Sequence, residues 1–367
     1  MKRSSITAAV MLACCVCWTP STRANDSIDA QVEKEIADGM FLGTVVIAGT
    51  PEGVSFHKAY GRRDTGKAMT TESLFDVASI TKVTTIATAL AVTLDRRPDM
   101  SLDDLMRDHL PGMTGEGADR ITIRYTATHR SGLDNTKSLC KQFEGERLVR
   151  EILARDISWP VDSKYTYSCL GMIRLGEMLA EIHGQEFGAF CRQNIFDPLG
   201  MNDTCFGPVP EDRRDRCVRM SVACGEICDQ NARRIGRPVG NAGIFTTALD
   251  LSKLATLWLN RGNCEGHRFF SETIWREFTA AGIVWHRGNG GNVPEQLSPN
   301  TFYHTGYTGQ TLAIDPDRNV YVIVLTNWDH PAVRAKNEVS DLARKRIAAT
   351  VFAEVLTPNL AKHCGVP

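Results

Sequence analysis

The sequence predicts a mixed α/β chain of α+β layout: one antiparallel sheet built from both chain ends and flanked by helices, with a mostly helical subdomain inserted between its halves. Two observations carry this reading. Strand-like stretches stand near opposite ends of the chain, and a long middle with helical periodicity separates them. At 367 residues and 43% hydrophobic composition, the chain has ample length for a large core.

In order, Ser27 to Met40 has helical spacing through Ile28, Val32 and Ile36. Gly43-Thr-Val-Val-Ile-Ala48 reads as a buried strand, with Val54 to Tyr60 its hairpin partner. The middle reads as helices over 79–94, 101–109, 147–154, 170–183, 187–194 and 249–260. Thr311–Ile314, the turn Asp315-Pro-Asp-Arg318 and Val320–Leu325 form strand, turn and strand, and a helix follows from about Glu338 to Val355. The sheet domain therefore takes residues 25–78 and 270–367, and the helical subdomain takes 79–269. Ser79 falls at their boundary, where a cleft is expected.

Met1-Lys-Arg3, an apolar run from Ile6 to Trp18 and Thr22-Arg-Ala24 read as an export signal over residues 1–24, which implies a secreted or periplasmic protein. Met11-Leu-Ala-Cys14 also loosely resembles a lipoprotein cleavage box; the membrane becomes a partner only if Cys14 is lipidated. Residues 1–24 hold Lys2, Arg3 and Arg23 and no acidic residue, so their removal takes the net charge of −1 to −4. That balance offers no electrostatic case for nucleic acid. No other stretch has the length and apolarity of a membrane span. No cofactor motif or obligate protein partner is evident. Nine of the 12 cysteines lie beyond the signal: Cys140, Cys169, Cys191, Cys205, Cys217, Cys224, Cys228, Cys264 and Cys364. In an oxidising compartment most are expected to pair, with one left over; Cys217, Cys224 and Cys228 lack the second Cys/His pair of a zinc site.

Three Ser-x-x-Lys pairs occur, at Ser55/Lys58, Ser79/Lys82 and Ser138/Lys141. Three-residue spacing puts serine and lysine on one face only in a helix, where the amine can receive the hydroxyl proton. Val83, Ile86, Ala87, Leu90 and Leu94 place Ser79 at the start of an amphipathic helix. Its amide there meets the positive end of the helix dipole, suited to an oxyanion; helix-start serines also serve as ordinary N-caps. Ser55 lies on the strand read above, and Ser138 in a polar stretch with no apolar period.

Phe75-Asp-Val-Ala-Ser-Ile-Thr-Lys82, Thr128-His-Arg-Ser-Gly-Leu133, Tyr167-Ser-Cys169, Ile195-Phe-Asp-Pro-Leu-Gly-Met201, His304-Thr-Gly306 and Thr326-Asn-Trp-Asp-His-Pro331 together resemble, in order and spacing, the serine hydrolases related to class C β-lactamases. Penicillin-binding DD-peptidases, D-aminopeptidases and esterases share that family. The resemblance covers about Gly43 to Pro331 and implies a β-lactamase/transpeptidase-like fold acting on a small-molecule or peptide acyl substrate. It implies that Ser79 is the acylated nucleophile, that Lys82 and Tyr167 share its proton, and that His304, standing where many relatives have lysine, belongs to the catalytic set. The backbone N–H groups of Ser79 and Tyr307 correspond to the oxyanion hole, with Thr305, Gly306 and Cys169 lining the substrate site. His129 reads as a support beneath the site, and Asn327 and Trp328 as a strand end. Lysine and tyrosine both titrate near ~10 in water, so the site must perturb one of them. Desolvation pushing Lys82 towards neutrality, and a nearby ammonium or imidazolium favouring the Tyr167 phenolate, would do so, which leaves open whether Lys82 or Tyr167 is the base.

One departure bears on substrate. Where β-lactamases and DD-peptidases of this type carry Tyr-x-Asn, this chain has Tyr167-Ser-Cys169, and a thiol cannot replace an amide that both donates and accepts. Cys169 is expected to be the unpaired cysteine, because the other eight make an even set and the family position faces the cleft. The leading reading is acyl-enzyme hydrolysis of an ester, an amide or a D-amino-acid peptide, with a true β-lactamase or DD-carboxypeptidase as a narrower alternative. A non-catalytic binding protein of the same fold competes less well, since Ser79, Lys82 and Tyr167 are all retained. Trp285 to Gly291 and Cys205 to Cys228 are expected to shape the cleft mouth.

Overall fold

A computed structural model of the chain describes residues 22–334 and 341–357. All but the last three residues of the expected export signal, including Cys14, and also Cys364, lie outside the described residues. Strands β1 (Gly43–Thr50), β2 (Gly53–Asp64) and β3 (Lys67–Ala68) come from the N-terminal part. Strands β4 (Phe75–Asp76), β5 (Cys205–Phe206) and β6 (Ile244–Thr246) form a small sheet, and β7 (Asn263–Cys264) and β8 (His267–Arg268) a hairpin. Strands β9 (His286–Arg287), β10 (Phe302–Gly306), β11 (Gln310–Asp315) and β12 (Val320–Thr326) complete a seven-stranded sheet in the order β3-β2-β1-β12-β11-β10-β9. All of its pairings are antiparallel. The sheet is thus assembled from both chain ends, which meet where β1 pairs with β12.

Both faces of this sheet are covered. Val45, Ile47, Ile323 and Leu325 join the core that holds Leu251, Leu254 and Trp258 of helix Ala248–Leu259. Val46, Ala48, Val322 and Val324, of opposite parity, pack with Ile28 and Val32 of helix Thr22–Ala37 and Ile347 and Val351 of helix Asp341–Val351. A strand buried on both faces reads as a continuous apolar run, so apolar alternation cannot set its register. Asn327 supplies the missing specification. Its Oδ1 accepts from the amides of Leu42 (3.0 Å) and Gly43 (2.9 Å), and its Nδ2 donates to the Arg62 carbonyl (3.0 Å), pinning β12, β1 and β2 together. Gly43 is required there, because a Cβ would meet three backbone atoms of Tyr60 and Arg62 at 2.6 Å.

The helix after Ser79 differs in detail from the sequence reading. Lys82–Ala87 is π-helical and continues as the α-helix Thr88–Arg96. Buried threonine hydroxyls bond back to its own carbonyls: Thr84 to Ile80 (2.9 Å), Thr85 to Thr81 (2.7 Å) and Thr88 to Val83 (3.0 Å). Such back-bonding competes with regular helical pairing, and π-turns recur at functional sites. The expected 101–109 helix shrinks to Met106–His109. The β4–β6 sheet and the helices Ile123–Ala127 and Gln230–Ile235 lie in segments too short to show a period. Helix Glu272–Ala281 was not anticipated either.

The expected disulfides are not present among the described residues. All eight described cysteines are free thiols. They are dispersed as small hydrophobes: Cys191 and Cys228 in the main core, and Cys140, Cys205 and Cys217 in a second cluster. The Cys140 thiol donates to the Lys137 carbonyl at 3.2 Å. Cys169 is free, as expected, but not because the rest are paired.

The two terminal helices are clipped by Arg346, which donates to both oxygens of the buried Glu35 carboxylate at 2.7 and 2.8 Å. Arg346→Met is expected to lower stability by about 1–2 kcal/mol in urea unfolding, because it strands a buried charge. The double variant with Glu35→Gln should recover part of that loss; a double variant less stable than Arg346→Met alone would disprove the account.

Candidate active site

Ser79 sits at the turn between β4 and the π-helical segment, partly exposed, directly after Ala78, whose φ of +45° is left-handed. Strand β6 fixes this turn: Val77 donates to the Ile244 carbonyl (3.1 Å), and the Ile244 amide donates to Thr81 Oγ1 (3.2 Å). The same segment brings the Asn241 carbonyl against Lys82. Lys82 Nζ donates to it at 2.7 Å and to Ser79 Oγ at 2.9 Å, and the Tyr167 hydroxyl lies 2.8 Å from Ser79 Oγ. Ser79, Lys82 and Tyr167 are therefore together as the motifs implied. Ser55 lies on strand β2, and Ser138 and Lys141 on the exposed helix Ser138–Gln142.

Of the two perturbations read from the sequence, the structure carries the nearby ammonium, that of Lys82, and not the neutral amine. Its ammonium is fully buried, which by itself favours the neutral amine, but the electrostatic influence of Cys169, Tyr167 and Asp229 outweighs burial and holds its pKa above the ordinary lysine value. Lys82 is thus a cation at neutral pH, and its Nζ also lies 5.0 Å from the Tyr167 ring centroid. It is poorly suited to be the base and well suited to stabilise negative charge on the Tyr167 oxygen.

Tyr167 precedes Ser168, whose side chain caps helix Cys169–His183 by accepting from the Gly171 amide. His129 underlies it, as read from the sequence: Nδ1 accepts from the Ser168 amide (3.1 Å), the His129 carbonyl accepts from Thr166 (2.8 Å), and the ring lies 4.6 Å from that of Tyr167. Burial drives the His129 pKa down to about 3. His304, on β10, lies with its ring 6.3 Å from that of Tyr167 and 4.7 Å from that of His286. Burial, then the nearness of His286 and Lys82, hold His304 well below the usual histidine value, so it is neutral and no imidazolium stands beside Tyr167. His286 is likewise lowered, by burial and by Lys82.

The amides that the resemblance assigns to an oxyanion hole are those of Ser79 and Tyr307. Among the described residues, neither the Ser79 nor the Tyr307 amide is spent on a backbone acceptor. Gly306, the last residue of β10, lets the strand approach the turn that carries Ser79: a Cβ would sit 2.5 Å from the Val77 carbonyl oxygen and 2.4 Å from Gln310 Oε1. Thr305, one residue earlier, is half-buried and its carbonyl meets His304 Nδ1 at 2.9 Å. Cys169 is the first residue of its helix; burial pushes its thiol pKa up against the opposing pull of Lys82, and its amide donates to Asn135 Oδ1 at 2.9 Å. His286 falls in the stretch from Trp285 to Gly291 expected at the cleft mouth, but the motifs did not disclose Asn135, Asn241 or Asp229. Asn241 acts on Lys82 through its backbone carbonyl, which has no residue-type signature.

A protein-family model described as Beta-lactamase matches residues 28–344. An N-acetylmuramyl-L-alanine amidase from Bacillus subtilis (strain 168) is 25% identical over 369 residues, covering 85% of this chain and 83% of the relative. Among solved structures, EstCE1, described as a hydrolase with promiscuous acyltransferase activity, superposes with a TM-score of 0.71 at 20% identity, covering 90% of this chain and 98% of the other. A penicillin-binding protein homologue from Caulobacter crescentus gives a TM-score of 0.74 at 18% identity, with 92% and 99% coverage.

The depressed His129 pKa has a consequence for acid stability. Because its folded value of about 3 lies below the ordinary ~6.5, its neutral form stabilises the fold above pH ~6.5, and that contribution is lost as pH falls. His129→Asn keeps an acceptor for the Ser168 amide and tolerates the left-handed backbone (φ +58°), but does not titrate. In urea unfolding, the stability of wild type relative to this variant should fall by about 3 kcal/mol between pH 7 and pH 4. A pH-independent gap would refute the assignment.

Proposed function

The chain belongs to the β-lactamase family, and on that footing we propose that it is a serine acyl hydrolase that forms an acyl-enzyme on Ser79 and favours substrates with no carboxylate beside the scissile bond. The observation that carries the reading is the placement of Ser79 Oγ, 2.9 Å from Lys82 Nζ and 2.8 Å from the Tyr167 hydroxyl, next to two unclaimed amides. In acylation, Ser79 Oγ attacks the substrate carbonyl and its proton passes to the Tyr167 oxygen, whose negative charge the Lys82 ammonium balances. The amides of Ser79 and Tyr307 receive the oxyanion, an arrangement worth about 3–4 kcal/mol per donor. Tyr167 then returns the proton to the departing alcohol or amine, and water releases the acyl group by the reverse sequence.

The substrate preference rests on charge and on the lost amide. His304 is neutral and buried where many relatives have a lysine cation, and Asp76, Asp229 and Asp329 add negative potential around Tyr307. A carboxylate adjacent to the reacting bond, as in a D-alanyl-D-alanine terminus, therefore meets no compensating cation from His304. Cys169 offers no amide to bind a substrate's amide side chain. Both features support neutral esters and amides over penicillins and peptidoglycan stems. The basic and apolar start of the chain supports an exported enzyme.

A fluorophosphonate probe should label wild type and leave Ser79→Ala unlabelled, and p-nitrophenyl esters should be hydrolysed faster than a labelled penicillin acylates. Tyr167→Phe should lower kcat/KM for the ester by about 10²–10⁴-fold. No labelling of the wild type would rule out the acyl-enzyme, whereas preferential labelling by penicillin would overturn the substrate preference alone.

A further inference from the structure

Asp76, three residues before the nucleophile, has no role in the proton transfer described above, yet it touches each part that presents the oxyanion amides. It is buried, with 1% of its surface exposed. Its Oδ1 accepts from the Ala78 amide at 2.9 Å, closing a side-chain turn onto the backbone two residues ahead. Its Oδ2 accepts from the Cys228 amide at 2.8 Å, and its main-chain carbonyl accepts from Thr308 Oγ1 at 2.9 Å. Ala78 is thereby held at φ +45°, a conformation that L-residues other than Asn and Asp rarely adopt. Thr308 is the residue after Tyr307, so both oxyanion amides stand one residue from an Asp76 contact.

We propose that Asp76 is a positioning residue for acylation: its carboxylate holds Ala78 left-handed so that the Ser79 amide faces the oxyanion, while its carbonyl moors the turn that carries the Tyr307 amide. Strain of this kind persists only where the surroundings over-determine it, and Asp76 is the side chain that does so here. Burial raises its pKa to about 6, against the opposing pull of the Cys228 and Ala78 amides, so the carboxylate is ionised and acceptor-only at neutral pH. Tyr307 contributes to the hole only its backbone amide, and its side chain is 43% exposed.

The inference rests on Ser79 being the acylated nucleophile, and the test separates the two. Rates of fluorophosphonate labelling on the full chain, corrected for folded fraction by circular dichroism and urea unfolding, are compared at neutral pH. Asp76→Ala should label about 10- to 100-fold more slowly than wild type, in the range of a weakened oxyanion donor. Adding Ala78→Gly to Asp76→Ala should recover much of the rate, because glycine adopts positive φ without a side-chain clamp. Asp76→Asn, close in shape and still able to accept from the Ala78 amide, should fall between Asp76→Ala and wild type and keeps the test open should Asp76→Ala not fold. Wild type that labels normally, with no rescue by Ala78→Gly or with Asp76→Asn as slow as Asp76→Ala, would overturn the positioning role while leaving the acyl-enzyme intact. Wild type that does not label would overturn both.

Discussion

A fully buried ammonium is costly, and the arrangement around Lys82 is organised to keep one. Its Nζ has the Asn241 carbonyl and Ser79 Oγ as hydrogen-bond acceptors, with the Asp229 carboxylate contributing from behind. Asp229 is itself fixed, accepting from Asn241 Nδ2 and from the Ala232 amide, both at 2.9 Å. Nearby histidines are neutral chiefly because they are buried, and the Lys82 charge adds to that by repelling a second positive charge. A neutral lysine would have made it the base instead, and the surroundings would then need no anion.

The main architecture was legible because its signals are local and periodic. The apolar strands near both ends, the turn Asp315-Pro-Asp-Arg318 and the amphipathic helix after Ser79 each declare themselves within about ten residues. Ser79, Lys82 and Tyr167 were legible because motif spacing names their side chains. The rest was hidden for identifiable reasons. Asn241 contributes a carbonyl, and every residue has one. Strands β4, β5 and β6 are two or three residues long, too short for a period to register. The charge state of Lys82 depends on groups more than 80 residues away in sequence, and no local pattern reports their approach.

The cysteines illustrate the same limit from another side. Their number invited a disulfide framework, yet the residues that decide pairing are those brought together by the fold. Cys191 lies in the core of the sheet and helices, Cys264 in the β7–β8 hairpin, and Cys169 at a helix start beside Lys82. Cys169 sits where the resemblance places an asparagine amide, and its thiol acts on Lys82, which in turn donates to Ser79 Oγ.

The pairing of β1 with β12 joins Thr44 to Thr326, across nearly the whole described chain. Contacts of such sequence separation form slowly, since the loop-closure entropy is lost before the pairing repays it. Residues near the N-terminus therefore wait for a late-synthesised strand before the central sheet can close. Strand β10, whose last residue Gly306 precedes Tyr307, belongs to the same late group. Until that group docks, Ser79 has its helix and Lys82 but neither the close approach of Gly306 nor the Tyr307 amide beside it, so a growing chain carries the serine of the proposed site long before that site is complete.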